Sequence, residues 1–247
     1  MRMKISPLGD AAAIIEVGKE ISETVQRKVK ALSMQLELKP VPGMIEYVPA
    51  FTTVTVFYDP YGVLQETGVR LAKERTEFIS PFQKVCEALE QVIAAIGDDM
   101  TASLRTVEIP VCYGEEFGPD LEFVAEHNGM TPEEVIQIHS GAEYLVYMIG
   151  FAPGFPYLGG MPETIAAPRR PSPRLAIPAG SVGIAGQQTG VYPIETPGGW
   201  QLIGRTPLSL FVPDSDPPTL LAAGDRIRFR AISRQEYEEW GEDDRCG

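Results

Sequence analysis

The sequence predicts an α+β protein built from two domains, and three features of the chain support this prediction. Helical apolar spacing and a β-branched strand pattern are mixed within residues 1–100, the expected N-terminal domain. A polar break at 98–103 separates them from a second domain, 101–240, which ends in an acidic tail, 241–247. Residues 150–204 hold 11 of the 24 glycines and nine of the 22 prolines, yet they remain apolar and aromatic. That composition is typical of short strands joined by tight turns and closed into a barrel.

The elements of the N-terminal domain follow from apolar periodicity and capping residues. Ser22 caps a first helix, and residues 45–58 form an extended run whose β-branched second half ends in a turn at Asp59–Pro60. A second helix begins after Ser80 and stops at Gly97. The apolar face of the first helix comprises Ile21, Val25, Val29, Leu32 and Leu36. All of these are core signals, so no chemistry is expected in this domain.

The second domain combines strands with short helices. A capping box at Thr131 opens the second of two helices that follow the first strand, and a last helix opens at Ser233 and packs Tyr237 and Trp240. The segment 151–160 is too irregular to be a core strand. The expected strands are Leu104–Tyr113, Tyr144–Ile149, short strands within 150–204, Leu208–Val212 and Arg226–Arg230.

Composition and charge exclude several classes of function. The net charge of −13, from 34 acids and 21 bases, repels nucleic acid and anionic lipid. No apolar run is long enough to span a membrane, and the first residues lack the apolar stretch of a secretory signal, so we expect a cytoplasmic protein. Three scattered cysteines without a C-x-x-C pair and only two histidines argue against a disulfide framework and against a metal site.

One catalytic motif is absent from the sequence, and one nucleotide-binding motif is incomplete. The sequence has no G-x-S-x-G elbow, because Ala179 lies two residues before Ser181. Gly199 and Gly204 have the spacing of a phosphate loop, but Pro207 and strand-like residues follow instead of a helix. Since that loop works by aiming a helix N-terminus at the phosphates, we predict that this segment is not one.

A locally basic segment is the first candidate for binding an anion. Residues 150–205 contain four arginines and only two acidic residues, Glu163 and Glu195, although the protein as a whole is acidic. Proline before Arg174 and glycine before Arg205 give these two arginines a stiff or tight backbone on one side, which favours two-donor contacts to a carboxylate or phosphate. The alternative is that they are ordinary surface arginines in loops. The four are Arg169, Arg170, Arg174 and Arg205.

Aromatic residues in a proline-stiffened loop are the second candidate. Phe151, Phe155 and Tyr157 suit one wall of a pocket or a groove for a partner. The alternative is a buried plug between strands.

His139 is the third candidate and also has two interpretations. It lies late in a short helix, where the helix dipole favours a histidine, or it is a titratable group at the mouth of the following strand.

A set of short strings that spans nearly the whole chain forms a recognisable family pattern, and the strings in the glycine- and proline-rich part are the most specific. They are Glu46–Phe51, Tyr58–Pro60, Cys112–Gly114, Gly118–Leu121, Tyr147–Gly160, Pro168–Arg170, Pro173–Arg174, Ile177–Gly186, Pro197–Trp200 and Gly204–Pro207. In these strings the chain resembles the allophanate hydrolase subunit 1 family, which includes the kinase inhibitor KipI. One departure is Gln187, where the family pattern has glycine; a positive φ there would strain the turn.

The resemblance implies a sandwich-like α+β N-terminal domain and a cyclophilin-like β-barrel. It also implies a subunit of an ATP-dependent 5-oxoprolinase that opens 5-oxo-L-proline to L-glutamate. Its partners would be a carboxyltransferase-like second subunit and a third subunit, with ATP shared among them. The main alternative is an inhibitor that binds a sporulation histidine kinase and blocks its autophosphorylation. Weaker alternatives are prolyl isomerase activity and urea- or allophanate-related chemistry.

Together these considerations give a set of candidate site residues. Side chains able to hydrogen-bond near the arginines join the anion-binding group, and Trp200 joins the aromatic group. The catalytic candidates are His139, Glu195 and Arg205. The substrate- or anion-binding candidates are Arg169, Arg170, Arg174, Gln188, Thr189 and Tyr192. The pocket or partner-binding candidates are Phe151, Phe155, Tyr157 and Trp200.

Overall fold

The computed structural model of the chain describes residues 3–67, 80–96 and 105–243. The chain divides into two compact units, Met1–Ser103 and Leu104–Gly247, termed the N-terminal and C-terminal units. Both combine helices with β-sheet, so the predicted α+β class is confirmed. The expected polar break at 98–103, the helix stop at Gly97 and the end of the expected acidic tail lie outside the described residues. None of the described helices has the length and apolarity to span a membrane.

In the described residues of the N-terminal unit, 3–67 and 80–96, a four-stranded antiparallel sheet is covered by three helices. Its strand order is β1-β2-β4-β3. Strand β4 alternates between half-buried and buried residues, and its inward side chains pack against the helices in one core. The elements are β1 (Lys4–Pro7), β2 (Ala12–Glu16), α1 (Glu23–Leu38), β3 (Met44–Pro49), β4 (Thr53–Tyr58), α2 (Pro60–Glu66) and α3 (Pro81–Ala94).

The caps of the N-terminal unit match the prediction better than its strands do. Ser22 accepts a hydrogen bond from the Val25 amide at 3.3 Å, and Ser80 forms the predicted capping box. The extended run 45–58 is two paired strands rather than one. The predicted turn at Asp59–Pro60 is wrong, because Asp59 caps helix α2 there. Strands β1 and β2 were not predicted.

The C-terminal unit is built on a seven-stranded sheet that nearly closes on itself. The order is β10-β9-β12-β5-β13-β6-β7, with β5 and β13 parallel and the other pairs antiparallel. The edge strands β7 and β10 lie against one another. A separate antiparallel pair joins β8 and β11. The strands are β5 (Thr106–Tyr113), β6 (Glu143–Ile149), β7 (Pro156–Gly159), β8 (Arg174–Ile177), β9 (Ser181–Ala185), β10 (Gln188–Val191), β11 (Thr196–Gly198), β12 (Gln201–Arg205) and β13 (Arg226–Ile232).

Between residues 105 and 243, three helices and a 3-10 turn complete this unit. They are α4 (Leu121–Asn128), α5 (Pro132–Gly141), the turn Glu163–Ile165 and α6 (Arg234–Asp243). Apolar side chains of α4, α5 and the sheet share one core that includes Ile109, Val135 and Phe229. In α6, Tyr237 contacts Phe117 with 4.5 Å between ring centroids.

Two sequence-based expectations for the C-terminal unit are wrong, and a third, the conditional strain at Gln187, does not arise. Residues 208–212 form no strand; only an isolated bridge joins Phe211 to Thr219. The irregular segment 151–160 does contain a strand, β7, which tolerates Pro156 because that residue is its first. The strain expected at Gln187 is absent, since the positive φ of that turn, 58°, is at Gly186.

Candidate functional site

A small open pocket in the C-terminal unit gathers seven of the thirteen candidate residues. It encloses about 160 Å³ between the loop before β7, the start of β10 and the segment that joins β11 to β12. Aromatic side chains form most of its wall, and an arginine and a glutamine supply its polar groups. The candidates that line it are Phe151, Phe155, Tyr157, Arg169, Gln188, Tyr192 and Trp200.

Phe155 is the centre of the aromatic wall. Its ring is 3% exposed and makes edge-to-face contacts with four other rings. The centroid distances are 5.4 Å to Phe151, 5.5 Å to Tyr157, 5.7 Å to Tyr192 and 5.8 Å to Trp200. Such contacts add stability beyond burial and fix ring orientation, so the wall is preorganised. The two interpretations of the loop both apply: Phe155 is a buried plug, and its neighbours face the pocket.

Phe151 stands at the rim with a strained backbone. Its φ is 66°, a left-handed value that costs a bulky residue energy, and its side chain is 70% exposed. The amide of Ala152 donates to the carbonyl of Gly150 at 2.7 Å across it, which closes a three-residue turn. The turn therefore holds an exposed aromatic ring beside the pocket at a cost to backbone stability.

Gly190 and Tyr192 show how tightly the aromatic wall of the pocket is packed. A Cβ at Gly190 would lie 3.2 Å from both the Phe155 and Trp200 rings, so a larger residue there would require a ring to shift. Burial raises the pKa of Tyr192 to about 12, and the nearby guanidinium of Arg169 offsets only part of that rise. Tyr192 is therefore a neutral hydroxyl at neutral pH; it accepts a hydrogen bond from the Trp200 backbone and can still donate one.

Arg169 is held at the pocket by bonds on both sides of it. The Pro168 carbonyl accepts from the Gln201 side-chain amide at 2.9 Å. The Arg170 amide donates to the Gly199 carbonyl at 2.7 Å. Because the flanking residues are tied to the segment that lines the pocket, the Arg169 side chain enters the pocket wall from a fixed backbone.

Asp120, which sequence reasoning missed, binds the two neighbouring arginines. Its carboxylate is almost wholly buried and accepts from Arg170 at 2.8 Å and from both terminal nitrogens of Arg174 at 2.8 and 2.9 Å. It also exchanges hydrogen bonds with the backbone of Leu202, at 2.7 and 2.9 Å. Arg170 and Arg174 are thus engaged internally. Sequence offered one signal, an aspartate just before a helix, which is the usual position of a cap.

His139 lies in the core instead of at a strand mouth, so the prediction of a titratable group there is wrong. It is fully buried, its ring stacks on Phe229 at 4.5 Å, and burial lowers its pKa to about 3. Its Nδ1 lies 2.8 Å from the Tyr113 hydroxyl and its Nε2 lies 2.9 Å from Thr189 Oγ1. Since Thr189 donates to the Gly183 carbonyl, Nε2 carries the proton and Nδ1 accepts from Tyr113.

The remaining candidates are dispersed. Arg205 donates to the Ala179 carbonyl at 2.9 Å, about 16 Å along β12 from Trp200. Glu195 is exposed and outside the pocket lining, and Thr189 points into the core toward His139. The structure therefore does not bring the three catalytic candidates together. In residues 3–67, 80–96 and 105–243, no group of three or more His, Cys, Asp or Glu side chains could hold a metal ion.

Comparisons with known proteins agree on one family. The sequence matches the family described as carboxyltransferase domain, subdomain C and D, over residues 3–221. It is 55% identical to a 5-oxoprolinase subunit of Bacillus subtilis over 98% of both chains. It is 42% identical to the protein of the same name in Escherichia coli O157:H7, over 90% of this chain and 93% of that one.

Solved structures extend the comparison to the fold. The crystal structure of TTHA0988 superimposes with a TM-score of 0.72 at 34% identity, covering 90% of this chain and 40% of that chain. The urea amidolyase of K. lactis, at 19% identity and a TM-score of 0.68, shares the fold over 98% of this chain and 15% of its own. The chain therefore belongs to the carboxyltransferase domain, subdomain C and D family, among relatives named as 5-oxoprolinase subunits.

Proposed function

We propose that the chain is a non-autonomous subunit of an ATP-dependent 5-oxoprolinase, which opens the lactam of 5-oxo-L-proline to give L-glutamate. The observation that carries this proposal is the 55% identity to a 5-oxoprolinase subunit over 98% of both chains. The match extends along nearly the whole length of both chains.

The volume and the lining of the pocket suit a small cyclic ligand better than a large one. At about 160 Å³ it is well below the roughly 300–1,000 Å³ of sites for drug-sized molecules. Its aromatic walls suit a flat ring, and the Gln188 amide and the Tyr192 hydroxyl can hydrogen-bond a lactam. A five-membered lactam that carries one carboxylate has these features.

The pocket can bind the lactam substrate but lacks the side chains that would catalyse its hydrolysis. Among the described residues that line it there is no cysteine, serine, histidine or carboxylate to act as nucleophile or base. The one buried histidine, His139, is neutral and points into the core. We therefore assign this chain the role of holding the substrate, with catalytic groups supplied by a carboxyltransferase-like second subunit and a third subunit.

ATP does not fit the described site of this chain. The pocket is too small for a nucleotide, and the residues with phosphate-loop spacing form strand β12 instead of a loop before a helix. We assign the ATP site to the partner subunits.

The test is reconstitution of the complex. The chain is co-expressed with candidate partner subunits, and ATP-dependent release of glutamate from 5-oxoproline is measured with and without it. We expect release to require this chain; equal activity when it is omitted would refute the proposal. A kinase-inhibitor role predicts the opposite pattern, namely loss of histidine-kinase autophosphorylation when the chain is added and no effect on glutamate release.

A further inference from the structure

Three arginines lie within a stretch of six residues beside the pocket, and they differ in their binding partners. Arg170 and Arg174 both bind the buried carboxylate of Asp120. Arg169 lines the pocket, and no carboxylate among the described residues pairs with it. A guanidinium without an internal partner, set in an aromatic wall, is a binding group for an anion from outside the chain.

The geometry explains how one arginine is kept apart from the other two. Asp120 is fixed by two hydrogen bonds to Leu202, two residues after Trp200 of the pocket. It holds the Arg170 and Arg174 side chains with three bonds of 2.8–2.9 Å. The backbone bonds on either side of Arg169 then leave only its side chain directed to the pocket.

We propose that Arg169 binds the carboxylate of the substrate and that Asp120 is a positioning residue that leaves Arg169 as the single cation of the pocket. This inference rests on the proposed function and names the group by which the chain recognises its substrate. A planar guanidinium donates two parallel hydrogen bonds to a carboxylate, while the ring of the ligand packs against the aromatic wall.

The experiment compares two lactams in the reconstituted complex. 5-Oxoproline carries the carboxylate, and 2-pyrrolidinone is the same ring without it. For Arg169→Gln we expect the KM for 5-oxoproline to rise about 10- to 100-fold, the loss typical of a charge-assisted hydrogen-bonded pair. The KM for ATP and the inhibition constant of 2-pyrrolidinone should stay unchanged. Arg230→Gln, which removes an exposed arginine of β13 far along the sequence, serves as the control with native kinetics.

A double-variant cycle tests the role of Asp120. Asp120→Asn should raise the KM for 5-oxoproline, and Arg169→Gln in addition should cause no further rise beyond that of Arg169→Gln alone. Additive losses would mean that Asp120 acts only on overall structure and would overturn its assignment as a positioning residue. Unchanged KM in Arg169→Gln, or equal weakening of both lactams, would overturn the assignment of Arg169. A complex that works without this chain would instead refute the proposed function.

Discussion

Two clusters of polar side chains lie inside the C-terminal unit, and they differ in how they tolerate burial. The first, beside the pocket, is ionic: Asp120 with Arg170 and Arg174. The second, under the sheet, is neutral: His139 with Tyr113 and Thr189. In the first, the arginines stay 23–35% exposed, so water reduces the cost of their charge. In the second, burial keeps every group uncharged. Charge is thus retained in the cluster whose arginines reach solvent.

The ionic cluster should contribute more to stability than the neutral one, and removing its carboxylate is the strongest test. Asp120→Ala leaves two guanidinium groups and the Leu202 amide without their partner, so we expect the free energy of unfolding to fall by about 3 kcal/mol. Urea denaturation measures this. Glu143→Gln is the matched control, since Glu143 also binds two arginines, Arg226 and Arg228, but at the surface. A loss for Asp120→Ala no larger than for Glu143→Gln would contradict the comparison.

The neutral cluster predicts a dependence of stability on pH. The pKa of His139 is about 3 in the folded protein and about 6.5 when unfolded, so the unfolded chain binds the proton more readily. The contribution of neutral His139 to the free energy of unfolding is complete above pH 6.5. It falls by about 1.4 kcal/mol per pH unit as the pH decreases toward 3. Between pH 7 and pH 5 the loss is about 2 kcal/mol.

The measurement is a series of urea titrations at pH 7, 6 and 5. His139→Gln should show a shallower pH dependence than the native chain. An identical slope in native protein and His139→Gln would show that His139 does not stay neutral on folding.

Thr189 links the neutral cluster to β10, the strand that carries Gln188 to the pocket. Thr189→Val preserves shape but removes the acceptor of the His139 Nε2 proton and the donor to Gly183, so we expect a loss of about 1–2 kcal/mol. Nitrogen NMR of the imidazole should report the Nε2-protonated form in the native chain. Thr55→Val on β4 is a control expected to change stability little. A native imidazole protonated on Nδ1 would reverse the assigned hydrogen bonds.

The smallest effect on stability is expected from substitutions of Phe151, at the rim of the pocket. Phe151→Gly and Phe151→Ala both remove the exposed ring, but only glycine accepts a φ of 66° without strain. We expect the glycine variant to be more stable than the alanine variant by about 1 kcal/mol in thermal unfolding. Equal stabilities would mean that the turn is unstrained.

Local patterns in the sequence predicted many of the helix starts and several residues of the pocket. Ser22 and Ser80 identified helix starts because a cap depends on residues three or four apart. The aromatic residues of the pocket and Arg169 were found because they lie in one segment rich in proline and glycine. Asp120 was missed because its partners lie 50 and 54 residues away and its position before a helix already had a local explanation. His139 was misplaced for the same reason: its contacts to Tyr113 and Thr189 arise only when the sheet forms.

The central claim is that the aromatic pocket holds the substrate, and the two tryptophans of the chain allow it to be tested directly. Trp200 lines the pocket, and Trp240 lies on α6 near Arg230. The chain alone is labelled with 5-fluorotryptophan, reconstituted with its partner subunits, and titrated with 5-oxoproline while fluorine NMR follows both resonances. The account predicts a saturable shift of the Trp200 resonance with the Trp240 resonance unchanged. A Trp200 resonance that does not move while the complex turns over substrate would contradict it.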